Sequence, residues 1–284
     1  MKSKGGVMAY VVLLTISLGI FLRYLPNVLN GLGLHPDYKG VSYVLPGARV
    51  LIVTTSQSTL GSSGKATGVF ASEMTAPYYV FVDAGSHVDI ASVKGGGVPI
   101  EPDSLKWFLS TPSDKRYLKD RSFQSKVTSS LKIDDVDFKQ YDIIFLAGGW
   151  GAAYDLGTSE VLGQKISQAW AAAKVIGGVC HGPLGLLLAK DTNGQALVKG
   201  KRLTAVTDRQ VKQLGITITP QHPERELRAA GALFESRHAF FEPFANHAVV
   251  DGRLVTGQNQ NAGIETAQLM LRVAGGKPRD GSND

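Results

Sequence analysis

The chain has 284 residues, 43% of them hydrophobic and 19% charged, enough apolar material for a large buried core and unlike a disordered chain. Its formal net charge is +6, yet Lys and Arg are scattered among Asp and Glu and form no basic run interleaved with aromatics, so no nucleic-acid partner is expected. A single cysteine excludes an intrachain disulfide framework and any multi-cysteine metal site.

The first element in chain order is apolar. Lys2 and Lys4 precede an uncharged run from Val7 to Leu22, and Arg23 closes it. Its length sits at the lower edge for a spanning helix. Residues 1–23 are therefore expected to form a membrane anchor or signal segment. The anchor reading gives a single-pass protein held to the membrane through this N-terminal helix. The small lysine bias then places the main domain on the extracytoplasmic side. A cleaved signal that leaves the domain secreted or periplasmic, and a buried helix, stay open as alternatives. Residues 24–48 carry prolines at 26, 36 and 46 and glycines at 31, 33, 40 and 47, and are expected to be a linker that wraps onto the domain.

From Arg49 to about residue 274 short apolar runs alternate with helical stretches. Strands are expected at 50–55, 87–92, 142–147, 175–179, 203–207, 248–250 and 254–256, and helices at 73–84, 159–173, 182–190 and 262–273. Strand and helix in alternation imply an α/β fold with a mostly parallel sheet covered on both faces. Residues 95–137 lack a strong period and read as an insertion bordering the site, with short helices near 104–108 and 114–119. The tail, 275–284, is expected to be flexible.

The informative segment is Val175-Ile176-Gly177-Gly178-Val179-Cys180-His181-Gly182-Pro183. A buried strand runs through small residues into a cysteine and then into a Leu-rich stretch, the pattern of a strand-to-helix elbow. Such an elbow lifts the thiol above the C-terminal edge of the sheet, where open α/β sheets bind ligands. A helix N-terminus aimed at the sulfur favours the thiolate, and elbow N–H groups can hold an oxyanion. A plain core cysteine at a tight turn is the alternative. Two further segments weigh against that alternative. Gly148-Gly149-Trp150-Gly151 follows a buried strand, and its backbone can approach the same crevice, with Gly149 as a second oxyanion donor. Glu73 stands at a helix start, where it either complements the dipole or reaches the sulfur. His222, His238 and His247 lie in polar or isolated surroundings and read as structural. Asn259 and Asn261 either border the site or cap the last helix. The absence of a G-x-G-x-x-G or P-loop pattern argues against a nucleotide cofactor.

The Cys180-His181-Gly182 elbow, the Ala147-Gly148-Gly149-x-Gly151 loop, Glu73 ahead of Pro77, the Val98–Ser104 segment and the closing Val255-Thr256-Gly257-Gln258-Asn259 together resemble the ThiJ/PfpI superfamily (class I glutamine-amidotransferase-like). The resemblance covers about 49–273 and is to the larger branch, which includes glyoxalase III-like enzymes and stress chaperones. It implies a flavodoxin-like three-layer sandwich with a mostly parallel central sheet, plus the N-terminal hydrophobic helix. It also implies Cys180 as nucleophile, Glu73 hydrogen-bonded to the thiolate, and His181 as general acid/base. The N–H groups of Gly149 and His181 would form the oxyanion hole, with Gly148, Trp150 and Gly151 shaping the pocket. Asp208 is the positional candidate for orienting the histidine. Trp150 stands where the family often has His, and Glu101 where it often has Asp. The implied function is a cofactor-free and metal-free reaction on a small-molecule carbonyl substrate, of the methylglyoxal-to-lactate type. A cysteine hydrolase of amide or ester bonds and a non-enzymatic stress chaperone or redox sensor remain alternatives. Relatives are often dimers, which makes a homodimer an expected state.

Overall fold

The structure, a computed structural model, describes residues 4–279. Lys2 of the proposed anchor and residues 280–284 of the proposed tail lie outside the described residues. The strands are β1 (Tyr43–Val44), β2 (Arg49–Thr54), β3 (His87–Ser92), β4 (Leu131–Lys132), β5 (Ile143–Leu146), β6 (Val175–Val179), β7 (Arg202–Leu203), β8 (Leu233–Phe234), β9 (Ala248–Asp251), β10 (Leu254–Gly257) and β11 (Lys277–Pro278). Seven of them form one sheet in the order β4-β3-β2-β5-β6-β10-β9. Every pairing in it is parallel except the edge hairpin β9–β10. The expected flavodoxin-like α/β sandwich is what forms.

Central strands β2, β5 and β6 are apolar on both sides because both faces of the sheet are covered. One core joins Val50, Ile52, Ile143 and Phe145 to Phe81 and Met74 of the helix Ala71–Asp83 and to Met270 and Leu271 of the helix Gly263–Val273. The other joins Leu51, Val53, Ile144, Leu146 and Ile176 to Leu162 and Ile166 of the helix Glu160–Ala171. Alternate residues of one strand thus feed opposite cores, the period-two rule of a pleated strand.

Four elements depart from the sequence expectation. The stretch expected as a helix at 182–190 forms a five-residue 3-10 turn, Gly182–Leu186, since Gly182, Pro183 and Gly185 are the weakest helix formers. The strand expected at 203–207 shortens to β7. It pairs in parallel with β8 in a separate two-stranded sheet, while Val206 N–H donates to the Cys180 carbonyl. The insertion carries a helix at Arg121–Thr128, capped by the Asp120 carboxylate on Phe123 N–H, in a region without a visible period. The N-terminal helix runs Lys4–Gly31 through Pro26, eight residues past Arg23. After Gly31 the chain turns back onto the domain, and β1 pairs with β11, tying down the start of the expected tail.

Candidate active site

Cys180 follows β6 directly and takes φ +59. A non-glycine residue in this region carries roughly 1–3 kcal/mol of strain, which must be held by its surroundings. Here Cys180 N–H donates to the Gly257 carbonyl at 3.1 Å and the Cys180 carbonyl accepts from Val206 N–H at 3.0 Å. Both backbone groups are therefore pinned, one by β10 and one by the strand-like segment after β7. The bend aims the sulfur at the end of β6, 3.3 Å from Nδ1 of His181.

Two buried carboxyl and imidazole groups surround the sulfur. Glu73, in the first turn of the helix Ala71–Asp83, is 1% exposed. Its carboxyl faces the Cys180 thiol and the N–H groups of Gly148 and Gly149, and Oε2 has no hydrogen-bond partner among the described residues. Pro77 cannot donate to the Glu73 carbonyl four residues back, so this helix is irregular where it meets the site. A methyl group added at Gly148 would collide with Glu73 Oε2 and with the backbone of Val179 and His181. Gly149 takes φ +98, the conformation that turns its N–H toward the sulfur. His181 is fully buried, and its ring meets the Trp150 indole edge-on with centroids 4.7 Å apart. Trp150 thus closes one side of the imidazole.

Burial dominates the electrostatics. It pushes the Glu73 carboxyl up to about 8, against smaller opposing pulls from the Cys180 thiol and the two glycine N–H groups. Burial, then the Glu73 charge, push the Cys180 thiol well above its ordinary range, while the N–H groups of Gly149 and His181 pull it down. His181 is held down at about 3 by burial, with a smaller contribution from His222. At neutral pH Glu73 therefore carries a proton and His181 is a neutral imidazole. The expected helix dipole at the sulfur is replaced by the short 3-10 turn and two aimed N–H groups. The sulfur expected as a thiolate is instead buried, 7% accessible, and held as the thiol by that burial.

Asp208 lies at the start of the helix Asp208–Gln213. Its carboxylate is 3.4 Å from His222 Nδ1 and 3.6 Å from Arg225. No hydrogen bond joins Asp208 to His181, and His181 Nε2 has no hydrogen-bond partner among the described residues. The orienting role expected of Asp208 is corrected accordingly: its carboxylate faces His222, the N-cap of the helix Pro223–Ala229, and Arg225 of that helix. Two further histidines pair with carboxylates, His238 with Glu242 and His247 with Glu235. Asn259 caps the short turn Gln260–Ala262.

Cys180, His181, Glu73 and Gly149 open into a cavity of about 530 Å³. Glu101, Asp103, Trp150 and Asn259 of the family motifs line it, and its apolar walls come largely from parts of the chain that carry no motif. They are Leu29 and Leu34 at the end of the N-terminal helix, Phe108 from the insertion, Leu214 and Ile216 after the helix Asp208–Gln213, and Phe244. Nothing in the sequence links these residues, because they are isolated apolar side chains in loops that only the fold brings together.

The DJ-1/PfpI family model matches residues 65–272. The chain belongs to the DJ-1/PfpI family. Within it, the chain is 29% identical over 237 residues to the glutathione-independent glyoxalase hsp3101 of Schizosaccharomyces pombe, covering 80% of this chain and 96% of that protein. It is 30% identical to Glyoxalase 3 of Candida albicans, covering 78% and 96%. Among solved structures it resembles the 24 kDa Rapid Encystment Protein of Francisella tularensis, with TM-score 0.75, 31% identity, and coverage of 80% of this chain and 99% of that one. It also resembles glyoxalase III of Candida albicans, with TM-score 0.72, 28% identity, and coverage of 80% and 97%. These DJ-1/PfpI relatives overturn the membrane-anchored, extracytoplasmic placement expected from the N-terminal run. One apolar helix near the N-terminus does not establish an anchor. Core helices and signal sequences meet the same criterion of length and composition.

Proposed function

We propose that the chain is a glyoxalase III-like enzyme that converts 2-oxoaldehydes to 2-hydroxy acids through Cys180, without glutathione. The observation that carries this reading is the strained, pinned Cys180, whose sulfur is shared by one protonated carboxyl, one neutral imidazole and two backbone N–H groups. The glyoxalases among the relatives support it.

In this reading the thiol passes its proton to His181 Nδ1 and the sulfur adds to the aldehyde carbon, forming a C–S bond. The oxygen of the adduct gains negative charge as it forms, within reach of the N–H groups of Gly149 and His181. Glu73, held protonated by burial, supplies a proton to that oxygen. Transfer of the remaining hydrogen from the former aldehyde carbon to the neighbouring carbonyl carbon, by way of the enediol, gives the thioester of a 2-hydroxy acid. Water then cleaves the C–S bond, its hydroxyl going to the acyl carbon and its proton to the sulfur, and the proton held on His181 restores Glu73 to its protonated state. One carbon is oxidised and its neighbour reduced, so the reaction needs water and no external oxidant or reductant.

The test follows methylglyoxal loss and lactate formation by the purified full chain in buffer without glutathione, with Cys180→Ala as control. Stoichiometric lactate that disappears in the variant supports the proposal. Intact aldehyde after prolonged incubation with folded protein overturns it, and ester or amide hydrolysis in the same sample would assign the hydrolase alternative.

A further inference from the structure

The cavity is too large and too apolar for a three-carbon substrate. At ~30 Å³ per heavy atom, water's share of liquid volume, methylglyoxal fills roughly 150 Å³. The cavity has about 530 Å³. Besides Glu73, Cys180 and His181, the polar side chains of Lys65, Glu101, Asp103, Gln210 and Asn259 reach it, but most of its surface is apolar, from side chains such as Leu34, Phe108, Leu214, Ile216 and Phe244. A small polar substrate would leave most of that apolar surface facing water, which a pocket shaped for it would not do.

The wall at the N-terminal side is built, and it lies ahead of the residues that the family model matches, 65–272. His35 N–H donates to Asn261 Oδ1 at 2.8 Å, and Asn30 Nδ2 donates to the His35 carbonyl at 2.6 Å. Asn261 Nδ2 in turn donates to the Pro243 carbonyl at 2.9 Å. A methyl group placed on Gly33 would stand 3.1 Å from the Phe244 carbonyl, so the turn packs tightly on the Phe241–Phe244 loop. Leu34 is buried there, 8% exposed. The turn after the N-terminal helix is therefore docked on the same loops that carry the site, and it closes the apolar end of the cavity.

We infer that the cavity accepts 2-oxoaldehydes carrying an unbranched apolar chain, longer than methylglyoxal. The chain lies along the wall made by Leu34, Phe244, Leu214 and Ile216 while the aldehyde sits at Cys180. This rests on the carbonyl reading above and adds the substrate class to it. The reaction is the same internal oxidation and reduction, and the apolar chain takes no part in it. Its contribution is the removal of apolar surface from water, which grows with each methylene until the space is full.

The test measures kcat/KM for a series of alkyl 2-oxoaldehydes, R–CO–CHO, from methyl to heptyl, with the wild-type full chain and with Leu214→Ser. Leu214 lines the cavity and is 47% exposed, so the folded state tolerates the substitution. The expected result is a rise of about fourfold per added methylene, the effect of burying one CH₂, continuing through the heptyl member, which at ~30 Å³ per heavy atom takes roughly 330 Å³ of the cavity's about 530 Å³. The slope is shallower in Leu214→Ser. If methylglyoxal is turned over and longer members are not preferred, the inference is overturned and the carbonyl reading stands. If no member of the series is turned over, both fall together. If the series rises but Leu214→Ser keeps the wild-type slope, the assignment of the chain to this wall is overturned.

Discussion

The floor and the wall of one cavity are built on different principles. The floor is Cys180, His181, Glu73, Gly148 and Gly149, all buried, with Cys180 pinned by backbone bonds to β10 and to the segment after β7. Its glycines have no space for a side chain: a Cβ at Gly148 meets Glu73, and one at Gly149 meets the backbone of residues 68–70. The wall is made of apolar side chains from the N-terminal turn, the insertion and two loops, and several are half-exposed. Strain and burial tune the protonation of the floor. The wall contributes only area, so its members are exchangeable in kind. Chemistry thus depends on atoms that cannot move, and selectivity on surface that can be repacked.

That contrast predicts a graded set of outcomes. The largest effect belongs to the sulfur. Cys180→Ala should lower kcat/KM for methylglyoxal by roughly 10³-fold or more, since nothing else in the floor forms the covalent bond. A measured loss below tenfold would remove Cys180 from the reaction. Glu73→Gln comes next, at about 10²-fold, the usual size of a lost proton transfer, measured as steady-state kcat at pH 7.

The same substitution has a stability signature. A carboxyl whose folded pKa is raised to about 8 binds more protons in the folded chain than in the unfolded chain between its ordinary value and 8. Its contribution is complete below about pH 4.5 and is lost as pH rises through 8. Wild-type stability should therefore fall across that window in urea titrations, and Glu73→Gln should flatten the fall. An unchanged slope in the variant would mean that Glu73 is ionised in the folded protein.

Gly148→Ala places a methyl group against Glu73 and two backbone segments. It should destabilise the fold by about 1–3 kcal/mol, read as a lower urea midpoint with unchanged m-value. The smallest effect belongs to Asp208. Its carboxylate engages His222 and Arg225 and makes no hydrogen bond to His181, so Asp208→Asn should change kcat/KM by less than about threefold. A loss near 10²-fold would place Asp208 in the relay and break the separation between the floor and its surroundings.

Much of the floor is legible in the sequence because it is contiguous. Cys180 and His181 are neighbours at the end of an apolar strand, and Gly148–Gly149 follows another such strand, so local pattern alone points at the edge where the two strands meet. Glu73 was readable only as one of two alternatives, since its reach depends on where the helix Ala71–Asp83 packs on the sheet. The protonation states were not legible. The sequence suggested an ionised thiol on a helix dipole, but Gly182, Pro183 and Gly185 replace that helix with a 3-10 turn, and burial moves all three titrations. The partner of Asp208 was also beyond reach, because His222 and Arg225 stand at the start of the helix Pro223–Ala229, whose docking the linear pattern does not constrain.

The amino-acid order by itself determined the α/β alternation, the doubly covered sheet and the cysteine elbow. Each is a short-range pattern of apolar period and small residues that any fold must respect. Only the tertiary structure decided which proton sits where in the floor and which distant loops wall the cavity. Desolvation depends on everything packed around a group, and the turn at Gly33–His35 meets Phe244 across about two hundred residues of chain.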